Sequence, residues 1–126
     1  SMPTSFYSIA PCRVADTRVP ASPPDGPLVA RTPRLFPIAG QCDIPATATS
    51  VSLNVTVTGP EASGNLRLYP AGLSLPSVSI VSYRPGQTRG GSALVALSAD
   101  GKVEAYAAQA EGTTVHVIID VTGYFE

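Results

Sequence analysis

The chain of 126 residues has no tryptophan and a single histidine, His116, which limits the chemistry that it can support. Serine hydrolases, cysteine hydrolases and zinc enzymes need histidine as a base or a ligand, and neither an HExxH nor a Gly-x-Ser-x-Gly motif occurs. His116 alternates with apolar residues, so we expect it on an outward strand face as a structural histidine. The acidic residues lack the spacing of a calcium loop. We therefore predict that the protein is not an enzyme and holds no cofactor or metal, with a bound calcium ion as the weaker alternative.

Charged residues are scarce as well. Asp, Glu, Lys and Arg form 13% of the chain, against about 25% in a typical soluble domain. The formal net charge is −1, and nucleic acids and anionic membranes bind to clustered basic residues, so neither is expected as a partner. Membrane insertion is not expected, since no apolar run approaches the roughly 18–20 residues of a membrane span.

The length of the chain fits one domain. Ser1-Met2 is typical of the scar that tag removal leaves, which indicates that the chain was cut from a longer, multidomain protein. We assign residues 1–2 to that scar and residues 3–126 to a single domain.

Helical periodicity is missing, and 13 prolines and 11 glycines interrupt the chain. Apolar residues alternate with polar ones instead, from Val51 to Val57 and from Val115 to Val121, which indicates strands with one buried face. Shorter candidate strands span residues 65–69, 77–83, 92–98 and 102–107. Turn signals recur about every 8–15 residues. The pattern predicts an all-β fold, an antiparallel sandwich of about eight to ten strands with a jelly-roll-like arrangement.

Two turns are predicted to form hairpins. Asp100-Gly101 offers the positive φ that a type I′ turn needs, and strand-like residues flank it on both sides. Residues 59–64 are predicted to form a longer hairpin loop of the same kind.

The N-terminal third of the chain is predicted to be irregular. Residues 6–9, 13–16 and 34–38 are candidate short strands. Residues 19–27 contain Pro20, Pro23, Pro24 and Pro27, and form a loop that cannot join a central ladder. We therefore expect a proline-rich N-terminal arm beside the sandwich.

Cys12 and Cys42 are the only cysteines. Two isolated cysteines without a CxxC motif fit no metal or redox spacing, so a disulfide is predicted, with two unrelated buried thiols as the alternative. A disulfide places the protein outside the cytoplasm, in the extracellular space or on a cell surface. Because the strands after residue 50 can form their own core, we expect the bond to hold the N-terminal arm. Reduction is then expected to loosen residues 1–45 first.

Asp16-Thr17-Arg18 places an acid and a base on the same side of an extended chain. We interpret Asp16 and Arg18 as a structural ion pair or a backbone cap. Asp16 and Asp120 are the acids that lie inside hydrophobic segments, so a catalytic carboxylate pair of the glycosidase kind is the alternative.

The stretch from Tyr83 to Gly91 is the best candidate for ligand binding. Sugar sites combine aromatic rings with planar hydrogen-bonding side chains, and this stretch offers both. We predict that the ligand-binding residues are Tyr83, Arg84, Gln87 and Arg89, with Tyr69 as a second ring. The alternative is an ordinary connection whose arginines are solvated or paired with nearby acids.

Several segments together resemble a domain that recurs in secreted and surface proteins of high-GC bacteria. The resemblance covers nearly the whole chain and rests on motifs in a fixed order: PCRVADTR (11–18), FPIAGQCDIP (36–45), SLNVTVT (52–58), GNLRLYPAG (64–72), PGQTR (85–89) and IDVTGYF (119–125). Two positions depart from the pattern, since Ala15 stands where leucine is common and Gly90-Gly91 stand where Ala-Asn often follows the arginine. The resemblance implies a non-catalytic domain of the kind often found at the ends of proteins.

These features predict an extracellular, non-catalytic module that recognises a glycan or a cell-surface polymer, for adhesion or for targeting an attached enzyme. The alternative is a structural or oligomerising tip or cap of a surface fibre, without a small ligand. Low charge and apolar residues on exposed strands would then serve to form a homo-oligomer.

Overall fold

The structure is a computed structural model and describes residues 4–20, 26–77 and 79–126. Over these ranges the chain forms nine strands and no helix, which confirms the all-β class. The strands are β1 (Phe6–Asp16), β2 (Leu28–Val29), β3 (Arg34–Pro37), β4 (Ser50–Thr58), β5 (Gly64–Pro70), β6 (Val81–Tyr83), β7 (Arg89–Ala96), β8 (Lys102–Gln109) and β9 (Thr114–Phe125). No helix able to cross a membrane is found in the described part of the chain.

The strands form two antiparallel sheets. One has the order β1-β9-β4-β7, with the short strand β2 paired to β9, and the other has the order β3-β8-β5-β6. β5 and β6 are consecutive along the chain and also pair with each other in a sheet. Each of the other connections from β2 onward joins a strand of one sheet to a strand of the other. This is the order of a jelly-roll sandwich, in agreement with the sequence pattern.

Both predicted hairpins are wrong, because the two turns connect strands of different sheets. Residues 59–63 lead from β4 to β5, and the Asp100-Gly101 turn leads from β7 to β8. In the second turn only Gly101 has a positive φ, of 77°, whereas type I′ needs two such residues. A Cβ at Gly101 would lie 2.4 Å from the Cβ of Ala39. Glycine therefore also allows this turn to pack against the residues that follow β3.

The core lies between the two sheets. Val51, Leu53, Val55 and Val57 of β4 are fully buried, as their alternation predicts. They share one hydrophobic cluster with residues of the opposite sheet, including Leu66 on β5 and Val103, Ala105 and Ala107 on β8.

The N-terminal segment contains more strand than predicted. The short strands expected at 6–9 and 13–16 are parts of the single strand β1, which pairs with β9 and is interrupted by two irregularities. Of the proline-rich loop predicted at 19–27, residues 21–25 lie outside the described residues. β6 is shorter than the strand predicted at 77–83, and Val78 also lies outside the described residues.

Cys12 and Cys42 form a disulfide with Cα atoms 6.1 Å apart, which confirms the predicted pairing. Cys12 lies in β1, at the edge of its sheet, and Cys42 lies in the connection between β3 and β4. Cys42 and Asp43 both have a left-handed φ, of 54° and 60°. The N–H of Gly40 donates to the carbonyl of Ile44 at 2.8 Å and closes this turn. The disulfide therefore fastens an edge strand to a loop that crosses between the sheets.

Candidate binding site

Four of the predicted ligand-binding residues meet at one surface hollow. Tyr83, Arg84, Gln87 and Arg89 line a cavity of about 460 Å³ together with Ser82. The end of β6, the loop that follows it and the start of β7 form its wall. We call this cavity the arginine hollow. The residues meet because they are close in sequence and the chain turns sharply between β6 and β7.

The loop between β6 and β7 is tied down by hydrogen bonds. The Gln87 N–H donates to the Arg84 carbonyl at 3.1 Å, and the Arg84 N–H donates to Oε1 of Gln87 at 3.0 Å. Gly86, with a φ of 76°, donates its N–H to the carbonyl of Pro60 at 3.0 Å. Because the turn occupies the side-chain oxygen of Gln87, its NH₂ group is the part that a ligand could use.

Tyr83 forms the floor of the arginine hollow. Its side chain is 4% exposed and belongs to the core cluster, so the expectation of a ring open for stacking on a ligand is corrected. The hydroxyl donates to the buried Oε1 of Gln109 at 2.6 Å, and burial raises the pKa of Tyr83 to about 12. The NH₂ of Gln109 donates in turn to Oγ1 of Thr113 at 2.9 Å and to the carbonyl of Thr114 at 3.2 Å.

Tyr69 does not belong to the arginine hollow. It lies five positions along β5 from Gly64, the residue that pairs with Tyr83, which corresponds to roughly 17 Å of strand. Its side chain is 4% exposed. Burial, followed by the hydrogen bond to Glu104, raises the pKa of Tyr69 to about 12. Glu104 also accepts the Gly72 N–H at 3.0 Å, so this pair holds the chain that follows β5.

The two arginines of the hollow are exposed and unpaired within the described residues. Arg84 and Arg89 are exposed, and across the described ranges neither guanidinium has a hydrogen-bond or ion-pair partner. Among the described residues, no Asp or Glu lines the hollow. Pairing with nearby acids, one form of the alternative, therefore does not apply to this loop, whereas the other form, an ordinary connection with solvated arginines, agrees with the structure.

Asp16 lies in an ion-pair network at the junction of β1 and β9. Arg18 donates to its carboxylate through Nε at 3.0 Å, Nη2 at 2.9 Å and the backbone N–H at 3.1 Å. Both expected roles, ion pair and backbone cap, are thus present in the geometry. Arg13 lies 3.6 Å from Asp16 and donates to Asp120 through Nε at 3.0 Å.

The network lowers the pKa of Asp16, chiefly through the hydrogen bond from Arg18. A glycosidase acid needs a raised pKa, so this electrostatic environment is the opposite of the one that general acid catalysis uses. Beside the network, the Thr17 hydroxyl forms a 3.0 Å hydrogen bond with Nδ1 of His116 and accepts the Val117 N–H at 2.9 Å. In the described parts of the chain, His, Cys, Asp and Glu form no cluster that could hold a metal ion.

A second, shallower hollow lies on the outer face of the β4–β7 pair and was not expected from the sequence. It has a volume of about 240 Å³ and is lined by Asn54 and Thr56 of β4 and by Gly90 and Ser92 of β7, with backbone between them. The Ser92 hydroxyl donates to Oδ1 of Asn54 at 3.2 Å. We call this cavity the glycine hollow, because it opens where Gly90 has no side chain.

The two glycines at the start of β7 have different roles. A Cβ at Gly90 would find its nearest neighbour at 3.8 Å, which is ordinary contact. A Cβ at Gly91 would lie 2.9 Å from the carbonyl oxygen of Ile80. Gly91 is therefore required for packing, whereas Gly90 keeps a surface open. Consecutive glycines in a strand are the sequence signal that marks such a close approach.

Two aromatic pairs were also missed. Phe6 lies opposite Phe125 with ring centroids 4.9 Å apart, and Tyr7 lies opposite Tyr124 at 5.2 Å. Phe6 is 49% exposed and covers Gly123, where a Cβ would lie 2.3 Å from its ring. The signal was present as mirror-image dipeptides, Phe-Tyr at residues 6–7 and Tyr-Phe at residues 124–125, which antiparallel pairing brings together.

The pair Phe6–Phe125 belongs to a larger exposed apolar surface at one end of the first sheet. Leu94 on β7 is 70% exposed, and Leu94, Ala96 and Phe125 line a shallow depression there. We call Phe6, Phe125, Leu94 and Ala96 the terminal apolar patch.

Comparison with known proteins does not assign the chain to a family. No protein-family model matches the chain, and no curated protein matches it. The resemblance to a domain of secreted bacterial proteins therefore stays a prediction.

Proposed function

We propose that the protein is an extracellular, non-catalytic module that binds a glycan or a cell-surface polymer through the arginine hollow. One observation carries the proposal: the loop residues Arg84, Gln87 and Arg89 present unoccupied donors around a single cavity. Sites for polar ligands typically combine a preformed cavity with a few convergent polar groups. The disulfide Cys12–Cys42 supports an extracellular location, because such bonds persist in oxidising compartments.

A binding role of this kind serves adhesion, or the targeting of an enzyme attached to the same polypeptide. The fold suits it, because hydrogen bonds hold the backbone of the loop that carries the donors in place before a ligand arrives. Less ordering entropy is then lost on binding than with a mobile loop.

The proposal is tested by affinity electrophoresis in gels that contain a panel of neutral and acidic polysaccharides. The wild-type protein is compared with Arg84→Ala and Arg89→Ala, and with Lys102→Ala as a control that removes a partly buried cation, paired with Asp100, from β8. We expect retardation on at least one polysaccharide, weakened by both site substitutions and unchanged in the control. If the wild-type protein migrates in every polysaccharide gel as fast as in a gel without polysaccharide, the proposal is overturned.

A second candidate function is self-association through the terminal apolar patch, as in a tip or cap domain of a surface fibre. Phe6 and Leu94, exposed by 49% and 70%, favour it because contiguous exposed apolar surfaces mark interaction sites. A second copy of this chain is the occupant to test. Sedimentation velocity of wild type and Phe6→Ser/Leu94→Ser decides: a dimer or trimer lost in the variant supports the function, and a wild-type monomer removes it.

A further inference from the structure

The charge of the arginine hollow restricts the class of ligand. The chain as a whole has a net charge of −1, yet this cavity presents two unpaired guanidinium groups, and no carboxylate lines it among the described residues. A neutral sugar has no group that needs both cations. A carboxylate or sulfate accepts two parallel N–H bonds from a guanidinium, which is the strongest geometry available to such a donor.

The glycine hollow extends the site from one charged group to a chain of sugars. The two cavities lie on opposite faces of the edge strand β7, because Arg89 pairs with the buried Val57 whereas Gly90 pairs with Thr56 on the outer face. A polymer that occupies both therefore has to pass over the exposed edge of β7. Without a side chain at Gly90, a sugar ring can lie close to the backbone of β7. The bond from Ser92 occupies Oδ1 of Asn54, so the NH₂ of Asn54 is left to donate to a sugar hydroxyl.

We infer that the ligand is an acidic polysaccharide whose anionic group lies between Arg84 and Arg89 and whose chain passes over the edge of β7 to place a further sugar on Gly90. This inference rests on the proposed function and names the class of its ligand. Carboxylate and sulfate groups share the chemistry that the two arginines recognise, and the experiment separates these sources.

The test measures binding to polygalacturonate, to dextran sulfate and to neutral dextran. Three variants are compared with wild type: Arg84→Gln/Arg89→Gln, Gly90→Val, and the control Arg13→Gln/Lys102→Gln. The control changes the net charge by the same amount as the first variant but removes cations that are paired with carboxylates elsewhere. Gly90→Val fills the glycine hollow without a backbone clash at Cβ. Thermal melting curves confirm that each variant is folded.

We expect wild type to bind an acidic polymer and not dextran. The arginine double variant should raise the Kd at least about tenfold, or about 1.4 kcal/mol, because it removes both guanidinium groups that the anion contacts. Gly90→Val should raise the Kd about fivefold, or about 1 kcal/mol, because its side chain displaces a sugar. The control should change the Kd less than about twofold, because its cations are paired with Asp120 and Asp100 outside the hollow. Preference for polygalacturonate identifies carboxylate as the recognised group, and preference for dextran sulfate identifies sulfate.

Three other outcomes overturn the inference and separate it from the proposed function. Binding of dextran that is lost in Gly90→Val but unchanged in the arginine variant leaves the glycan module standing and removes the acidic ligand. Equal weakening by the arginine variant and the control shows general charge attraction without a site. No binding of these polymers, or of any polysaccharide in the panel above, removes both.

Discussion

The hydroxyl of Tyr83 donates a 2.6 Å hydrogen bond to the buried side-chain oxygen of Gln109, across the sheet that carries the arginine hollow. Tyr83 thus joins the floor of the candidate site to the core. It supports the site from below, whereas the exposed Arg84 and Arg89 are the residues that can contact a ligand.

Tyr83→Phe is expected to lower the free energy of unfolding by about 1–3 kcal/mol, because the buried Oε1 of Gln109 loses its donor. Tyr106→Phe is the matched control, since the hydroxyl of the half-buried Tyr106 has no hydrogen-bond partner in the described structure. Urea denaturation measures both. Equal stability of the two variants would contradict the assigned role of Tyr83.

The adjacent glycines of β7 give a second prediction. Gly91→Ala should destabilise the protein by about 1–3 kcal/mol, because the added Cβ overlaps the carbonyl of Ile80 and the strand must shift. Gly90→Ala should be neutral or stabilising by up to about 0.5 kcal/mol, since alanine loses less backbone entropy than glycine. Thermal unfolding of the two variants checks the difference, and the reverse order of stability would refute it.

Removal of the disulfide gives a third prediction. Replacing Cys12 and Cys42 with serine should cost about 3.5–4 kcal/mol in the chain-entropy model for a loop of this length. The loosening should be confined to β1 and the turn around Cys42, because β3 and its flanks bury Phe36, Ile38 and Ile44 in the core. The sequence alone predicted that loss of the disulfide would loosen all of residues 1–45. The burial of Phe36, Ile38 and Ile44 restricts that prediction to β1 and the turn around Cys42.

Hydrogen exchange measures the effect of removing the disulfide residue by residue. Amides of β1 should exchange faster in the double variant, while those of β4 and β8 should keep their order of protection. Simultaneous loss of protection in all strands would show that the disulfide holds the whole sandwich together.

The ion pair of Asp16 gives a pH prediction. The Arg18 guanidinium holds the pKa of Asp16 below its usual value in the folded protein. A carboxylate whose pKa is depressed on folding stabilises the fold above its unfolded pKa. That contribution is lost as the pH falls below about 4, through the folded pKa.

Urea titrations at pH 7, 4 and 3 measure this dependence. Asp16→Asn should be less stable than wild type at pH 7 and should lose less stability below pH 4. Glu111→Gln, which removes an exposed carboxylate from the loop between β8 and β9, should follow the wild-type curve. An acid-induced loss in Asp16→Asn as large as that of wild type would contradict the assignment.

The sequence predicted those parts of the fold that depend on local pattern. The alternation from Val51 to Val57 identifies the buried face of β4, because side chains on a strand alternate between the two faces. The pair Cys12–Cys42 follows from the absence of any other cysteine. The grouping of the residues of the arginine hollow could be predicted because they lie within one short stretch of the sequence.

Contacts between distant segments could not be predicted in the same way. A turn such as Asp100-Gly101 shows where the chain reverses but not which sheet receives the next strand. Asn54 reaches the glycine hollow only through the pairing of β4 with β7, and Phe6 meets Phe125 only through the register of β1 and β9. The hydrogen-bond partner of the buried Tyr83 is likewise distant in sequence, since Gln109 lies 26 positions away on β8.

The most direct test of ligand binding at the arginine hollow is an amide chemical-shift titration of the wild-type protein with oligomers of the acidic polymer, polygalacturonate or dextran sulfate, that it binds more tightly. We predict saturable shifts for residues 82–92 and for Asn54, with the signals of β3 and of the terminal apolar patch unchanged. The proposed site would be contradicted by shifts confined to the terminal apolar patch, or by no shifts at a ligand excess that saturates polymer binding.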